Sequence, residues 1–229
     1  MKIFINKNSL KTIPPSPKAC PGRGAEPARK LTFIFNLFRF KMIYNIDCLK
    51  LAEQLVKKGH KVILLICGSQ DSKGGFYRAG FPGGQEEQIA KKSNNYMTLL
   101  EPIKYPLHTT KPLWLPGLKF PTFQCDAIVA HAIKRPILVN GLLQPNDMEL
   151  SCTKISEIYQ LAAQYSDADT YLVSTAFGCG GYMNPPENIA QLMKDLYQSQ
   201  PFKLVFGIYD ENEPKCAFSV FKDVFNQYT

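Results

Sequence analysis

Five glycines fall within eleven positions between Gly74 and Gly84, and the run ends directly in Gln85-Glu86-Glu87. Glycine lets a backbone approach a ligand closely, and Gln-Glu-Glu directly after it would place two carboxylates on the first turn of a helix beside that loop. A second cluster, Gly178-Cys179-Gly180-Gly181, stands far downstream. Each cluster follows a strand-like apolar run and precedes a segment with helical character. Open α/β sheets bind ligands in such loops, and helix amino termini favour phosphate, so together the clusters suggest a nucleotide or a diphosphate. Plainer readings exist for both: a glycine-rich turn that is only structural, and acids placed at a helix start to suit its dipole.

The elements that must hold these residues follow from periodicity. Residues 46–58 have helical spacing, with Ile46, Leu49 and Val56 on one side and Lys50, Lys57 and Lys58 on the other, and Gly59 stops them. Residues 61–67 form the near-continuous β-branched and leucine run of a strand buried on both faces. A helix is expected over 85–100, with Ile89, Tyr96, Met97 and Leu100 on one face. Residues 101–125 contain five prolines and the single tryptophan, Trp114, and read as a long irregular excursion. Short strands are expected near 127–130 and 136–140, a helix over 151–165, and strands over 169–175 and 202–209. Asn184-Pro185-Pro186-Glu187 has the grammar of a helix start with Asn184 as cap, and a last helix is expected over 214–227. Strands alternating with helices argue for a layered α/β fold.

Composition narrows the class. A hydrophobic fraction of 45% with 20% charged residues fits a globular chain and excludes a disordered or fibrous one. The formal charge of +8 looks at first like a nucleic-acid signal. Residues 1–45, however, hold nine Lys or Arg against Glu26 alone, which is 9 − 1 = +8, and the remainder has eighteen of each sign. The charge therefore belongs to the amino-terminal segment, and the rest carries no overall field for a polyanion. Residues 1–30, with five prolines and no periodicity, read as a basic tail, disordered or loosely attached, and 31–229 as one domain. Residues 31–44 read as a strand or two. Seven cysteines without a Cys-x-x-Cys pair point to reduced thiols and an intracellular setting. His60, His108 and His131 are isolated in sequence, so no metal site is expected, and each reads as a loop or surface residue. No stretch looks long and apolar enough for a membrane anchor.

Neither glycine cluster matches the phosphate-loop or dinucleotide fingerprints. The combination of Gly74-Gly75-Phe76 and Gln85-Glu86-Glu87 with Ala176-Phe177-Gly178-Cys179-Gly180-Gly181-Tyr182-Met183-Asn184-Pro185-Pro186 resembles the microbial-type poly(ADP-ribose) glycohydrolases of the macrodomain superfamily. Asn45-Ile46-Asp47-Cys48-Leu49 and Gln144-Pro145-Asn146 fall in the same family order. The resemblance implies a macrodomain-like three-layer α/β/α sandwich with a mixed central sheet. It implies Glu87 as catalytic acid and Glu86 as holder of ribose hydroxyls. Gly74, Gly75, Phe76 and Gln85 would line the loop over the distal ribose and diphosphate, with Gly178, Cys179, Gly180, Gly181 and Asn184 in the second phosphate loop. Phe177 or Tyr182 would pack against ADP-ribose.

The implied reaction is cleavage of a ribose O-glycosidic bond without metal or cofactor. The implied partner is ADP-ribose or poly(ADP-ribose) on modified proteins, met by a monomer with no membrane and no direct nucleic-acid contact. This chain departs from the family pattern at Ser72-Lys73, where relatives have Pro-Gly, at Cys67-Gly68-Ser69, where relatives place an Asn, and in the lengthened 81–84 stretch. A module that binds ADP-ribose without hydrolysing it is therefore the alternative reading. Lys73 reads either as a cation near phosphate or as a solvated loop residue, and Cys179 as a packing residue rather than a nucleophile.

Overall fold

In the computed structural model the described residues are 42–79, 83–198, 200–209 and 216–226. The expected tail, and all of the 31–44 stretch except its end, lie outside them. The chain runs β1 (Ile43–Tyr44), α1 (Cys48–Lys57), β2 (Val62–Cys67), α2 (Gln85–Lys92), α3 (Tyr96–Leu100), β3 (Leu113–Lys119) and β4 (Gln124–Ala130). It continues through a hairpin of β5 (Leu138–Val139) and β6 (Leu142–Leu143), then α4 (Pro145–Gln164), β7 (Tyr171–Ser174), α5 (Pro186–Leu196), β8 (Lys203–Gly207) and α6 (Ala217–Asn226).

Six strands make one sheet in the order β1-β8-β7-β2-β4-β3, parallel throughout except for β3 against β4. The expected mixed sheet in a three-layer sandwich is what forms. On β2, Val62, Leu64 and Ile66 enter one core with α1, Ile89, Tyr96 and Leu100, while Ile63 and Leu65 enter the other with Ile155, Ile158, Ile189 and Phe221. Burial on both faces explains why this strand reads as an unbroken apolar run. Because β2 and β7 are parallel neighbours, the loops that follow them leave the same edge of the sheet side by side. That adjacency brings 68–84 and 175–185 together.

Several elements differ from expectation. The helix expected over 85–100 breaks at Ser93 into α2 and α3. Asn95 is drawn away by β3, its amide bonding Gly117 O at 2.9 Å and accepting Lys119 N at 2.8 Å, and Ser93 Oγ accepts Tyr96 N at 3.2 Å. Such residues favour backbone partners over helix interiors. The excursion over 101–125 contains all of β3 and the start of β4. Pro116 is tolerated because β3 is an edge strand, and Gly117, at φ +69°, sits where the register with β4 shifts. The strand near 136–140 is half of a short hairpin turned by Asn140 and Gly141, both at positive φ. Helix α4 begins at Pro145, well before the expected 151.

Asn184 does not cap α5, whose cap residue is Pro185. His131 is buried rather than on the surface, its ring contacting His108 O at 3.2 Å and the buried Lys154 amine at 3.4 Å. Among the described residues no helix is long and apolar enough to cross a membrane.

Candidate functional site

Helix α2 starts beneath the first glycine loop, and its first three side chains do different jobs. Strand β7 pairs with β2 only as far as Leu64↔Val173, so the backbone of β2 beyond that point needs other partners. Gln85 supplies them: Cys67 N donates to its Oε1 at 2.7 Å, and its Nε2 donates to Leu65 O at 3.0 Å and reaches Cys48 Sγ at 3.1 Å. Gln85, expected to touch substrate, is bonded by these protein groups and staples α2 to the sheet, and it also lines a cleft beside α2.

Glu86 and Glu87 are both buried. Glu86 accepts Ser69 N on Oε2 at 2.6 Å and the hydroxyl of fully buried Tyr96 on Oε1 at 2.8 Å. Burial pushes its carboxyl up to about 7; the hydrogen bonds from Ser69, Tyr96 and the Gly74 amide oppose that, and the neighbouring Glu87 charge adds to it. Glu87 accepts Phe76 N on Oε1 at 3.0 Å. The glycine loop closes so tightly over the two acids that a methyl group at Gly75, which has φ +61°, would meet the Glu87 carboxylate, and one at Gly84 would meet it as well. Glycine is required there by contact and, at Gly75, by conformation. Phe76 follows with its ring exposed. The Lys73 amine donates to Glu101 O at 2.7 Å.

The second loop is built differently. Asn184 is buried and ties it down, its amide nitrogen donating to Gly178 O at 3.0 Å and Ile133 O at 2.8 Å. Gly178, at φ +75°, turns the chain where a side chain would strike Ala132 and Asn184. That turn sends Phe177 inward, where it is 1% exposed in the core. Of the two aromatic candidates Phe177 is thereby removed, and half-buried Tyr182 remains, bonded through its hydroxyl to Ser69 on the facing loop. Cys179 packs against the core and burial pushes its thiol up, which suits the packing role. Gly180 and Gly181 are exposed, with open space where side chains would be. The amides of Gly180, Gly181 and Tyr182 donate to no protein acceptor among the described residues. Successive unclaimed amides ahead of a helix make an anion cradle.

Beside α2, a cleft of about 190 Å³ is lined by Asp47, Leu49, Gly84, Gln88, Thr175 and Tyr209, among others. Sequence reasoning did not mark Tyr209 or the Tyr96–Glu86 bond. Tyr96 lay on an apolar helix stripe, and only the break at Ser93 aims its hydroxyl at the acid.

The fold and the two loops define the class: a macrodomain-like α/β/α sandwich with a candidate ligand site at the carboxyl edge of its parallel strands. The sequence profile of the microbial-type poly(ADP-ribose) glycohydrolase (PARG) catalytic domain matches residues 10–115, which include the first loop and Gln85-Glu86-Glu87. The match takes in the first of the two motif clusters; the second, at 176–186, lies outside it. The fold is similar to that of the poly(ADP-ribose) glycohydrolase from Thermomonospora curvata, at 20% identity and TM-score 0.68, covering 80% of this chain and 76% of that one. It is similar also to the Deinococcus radiodurans enzyme in complex with ADP-ribose, at 19% identity and TM-score 0.66, covering 83% and 85%. A third structure of this fold, the T. curvata protein bound to the inhibitor ADP-HPD, is 17% identical with TM-score 0.65 and covers 79% and 77%. No curated protein matches the chain by sequence at a significant level.

Proposed function

We propose that this protein is an ADP-ribosyl glycohydrolase that cleaves ribose O-glycosidic bonds in poly(ADP-ribose), with protein-linked ADP-ribose as a further substrate and Glu87 as the general acid and base. The observation that carries the reading is the pair of buried carboxylates under a glycine loop, facing a second loop with unclaimed amides. The family match over the first loop and the shared fold of poly(ADP-ribose) glycohydrolases support the same substrate class.

In this reading the diphosphate lies on the amides of Gly180, Gly181 and Tyr182, and the adenosine end extends toward the cleft between Asp47 and Tyr209. The distal ribose reaches the acids. Glu86, with both oxygens already held by Ser69 and Tyr96, is the less mobile carboxyl and fixes ribose hydroxyls. Among the described residues Glu87 receives one protein donor, Phe76 N, which leaves it capacity for the reacting atoms. It protonates the oxygen leaving the ribose anomeric carbon as that bond breaks through an oxocarbenium-like state. Water then adds its oxygen to the anomeric carbon and gives a proton back to Glu87. We place the reaction inside the cell, a setting consistent with the six free cysteines of the described residues.

Calorimetry with ADP-ribose, paired with an assay of ADP-ribose release from poly(ADP-ribose), tests the reading. Binding together with release is the expected result. Binding without release assigns the chain to the non-catalytic readers, and absence of binding removes ADP-ribose as the ligand.

A further inference from the structure

Five of the eight exposed large hydrophobic residues of the described chain lie together: Ile137, Leu138, Val139 and Leu142 on the β5–β6 hairpin, and Met183 beside it, each between 44% and 64% exposed. The hairpin is held in place. Its turn uses Asn140 and Gly141 at φ +53° and +80°, Ile137 N donates to Asp147 Oδ2 at 2.9 Å, Gln144 N donates to Ile137 O at 3.2 Å, and Leu143 N donates to Asn188 Oδ1 at 2.9 Å. A fixed backbone that presents aliphatic side chains to water marks a binding surface rather than a stray loop. Its foot adjoins the candidate site: Arg135 N donates to Tyr182 O at 2.9 Å, and Asn184 bonds Ile133 O. Lys134 and Arg135 are exposed at that junction.

We infer that this hairpin docks the polypeptide that carries the ADP-ribose in a protein-linked substrate. The inference rests on the glycohydrolase reading. Poly(ADP-ribose) is a polyanion of ribose, phosphate and adenine, which proteins hold with cations and stacked rings; the aliphatic strip itself has no ring, and the cations Lys134 and Arg135 stand only at its foot. A polypeptide with apolar residues near the modified position, and acidic ones to meet Lys134 and Arg135, complements both parts of the surface. A second copy of this chain fits less well. A stable dimer buries about 800 Å² per partner over some 20–30 residues, and five side chains on a two-stranded hairpin fall well short. A small patch is enough when the ligand is already anchored next to it, because the second contact becomes intramolecular.

The test measures affinity in a Glu87→Gln background, which keeps substrate intact. An ADP-ribosylated polypeptide is expected to bind about tenfold tighter than free ADP-ribose, and Ile137→Ser/Val139→Ser/Leu142→Ser is expected to abolish that advantage while changing the ADP-ribose Kd less than twofold. The unchanged ADP-ribose Kd certifies folding, and Val139→Ser alone, expected to lose about half of the advantage on a logarithmic scale, serves if the triple variant is unstable. Equal affinity for the two ligands in the parent protein overturns the docking role and leaves the glycohydrolase reading intact; failure to bind ADP-ribose at all overturns both. A parent that is dimeric in gel filtration and becomes monomeric in the triple variant, with the polypeptide advantage kept, assigns the patch to a second copy instead.

Discussion

The two glycine loops leave neighbouring parallel strands at the same sheet edge, yet they are built on opposite plans. In 68–87 the first three side chains of α2 are all held by protein groups: Gln85 by β2, Glu86 by Ser69 and Tyr96, and Glu87 through one oxygen by Phe76. In 176–184 the backbone is turned by Gly178 and pinned by Asn184, and the amides of Gly180, Gly181 and Tyr182 meet no acceptor among the described residues. A reaction centre needs carboxylates whose position is fixed before substrate arrives, whereas an anion site needs donors that are still available. On the proposed function the first loop is the place to lose turnover, and the second the place to lose binding.

The sharpest break between them is Glu87→Gln. Loss of the acid and base is expected to lower kcat for ADP-ribose release by about 10²–10⁴-fold, with the ADP-ribose Kd within about tenfold of the parent. Single-turnover release and calorimetry measure the two separately, and retained turnover would show that another group donates the proton.

Gln85→Ala comes next and acts through folding. It strands Leu65 O and Cys67 N at the point where β7 has left β2, at about 1–3 kcal/mol for each buried group left without a partner. Urea denaturation should show a loss of roughly 2–5 kcal/mol, and the protein that remains folded should bind ADP-ribose normally. A Kd that rises with little change in stability would return Gln85 to the ligand.

Glu86→Gln separates the two acids by pH. The folded carboxyl lies at about 7 against an ordinary 4.5, so the folded state holds this proton more tightly than the unfolded chain. Its favourable contribution is complete below 4.5 and disappears as pH rises to about 7, a difference of roughly 3 kcal/mol at about 1.4 kcal/mol per pH unit. The Gln variant carries no ionisable group to lose. It should be more stable than the parent at pH 8, by up to about 3 kcal/mol, and should show no such gain at pH 4.5. Equal melting temperatures at pH 8 would mean that Glu86 is not held in a desolvated position.

Much of this was legible in the sequence because local physics dictates it. The unbroken run of β2 reports burial on both faces, and the position of each glycine cluster between strand and helix reports a loop at the sheet edge. What escaped depends on where elements end in space. Gln85 suits a ligand or a backbone equally well, and only the early departure of β7 after Val173 decides between them. Tyr96 read as a stripe residue of one long helix until Ser93 and Asn95 broke it toward β3. Phe177 had the right type and place for stacking, but the left-handed turn at Gly178 carries its ring into the core. The hairpin had a signal, Asn140-Gly141, whose preference for tight turns runs against a strand over 136–140.

Asn184→Ala is the smallest of these changes and the one that probes the second loop alone. It removes two bonds from Asn184 Nδ2, to Gly178 O and Ile133 O, and so frees the turn that sets the Gly180–Tyr182 amides. On the proposed function those amides meet phosphate before and during reaction alike, so their disorder is expected to weaken ground state and transition state together. The expected result is a rise of about tenfold in the Kd for ADP-ribose, about 1.4 kcal/mol, with kcat for polymer lowered less than threefold at saturation. The same bonds tie the loop to 133–135 at the foot of the hairpin, so the affinity advantage of an ADP-ribosylated polypeptide should shrink too. A fall in kcat as large as that of Glu87→Gln would mean that the second loop positions the reacting atoms, and the division of labour between the loops would have to be given up.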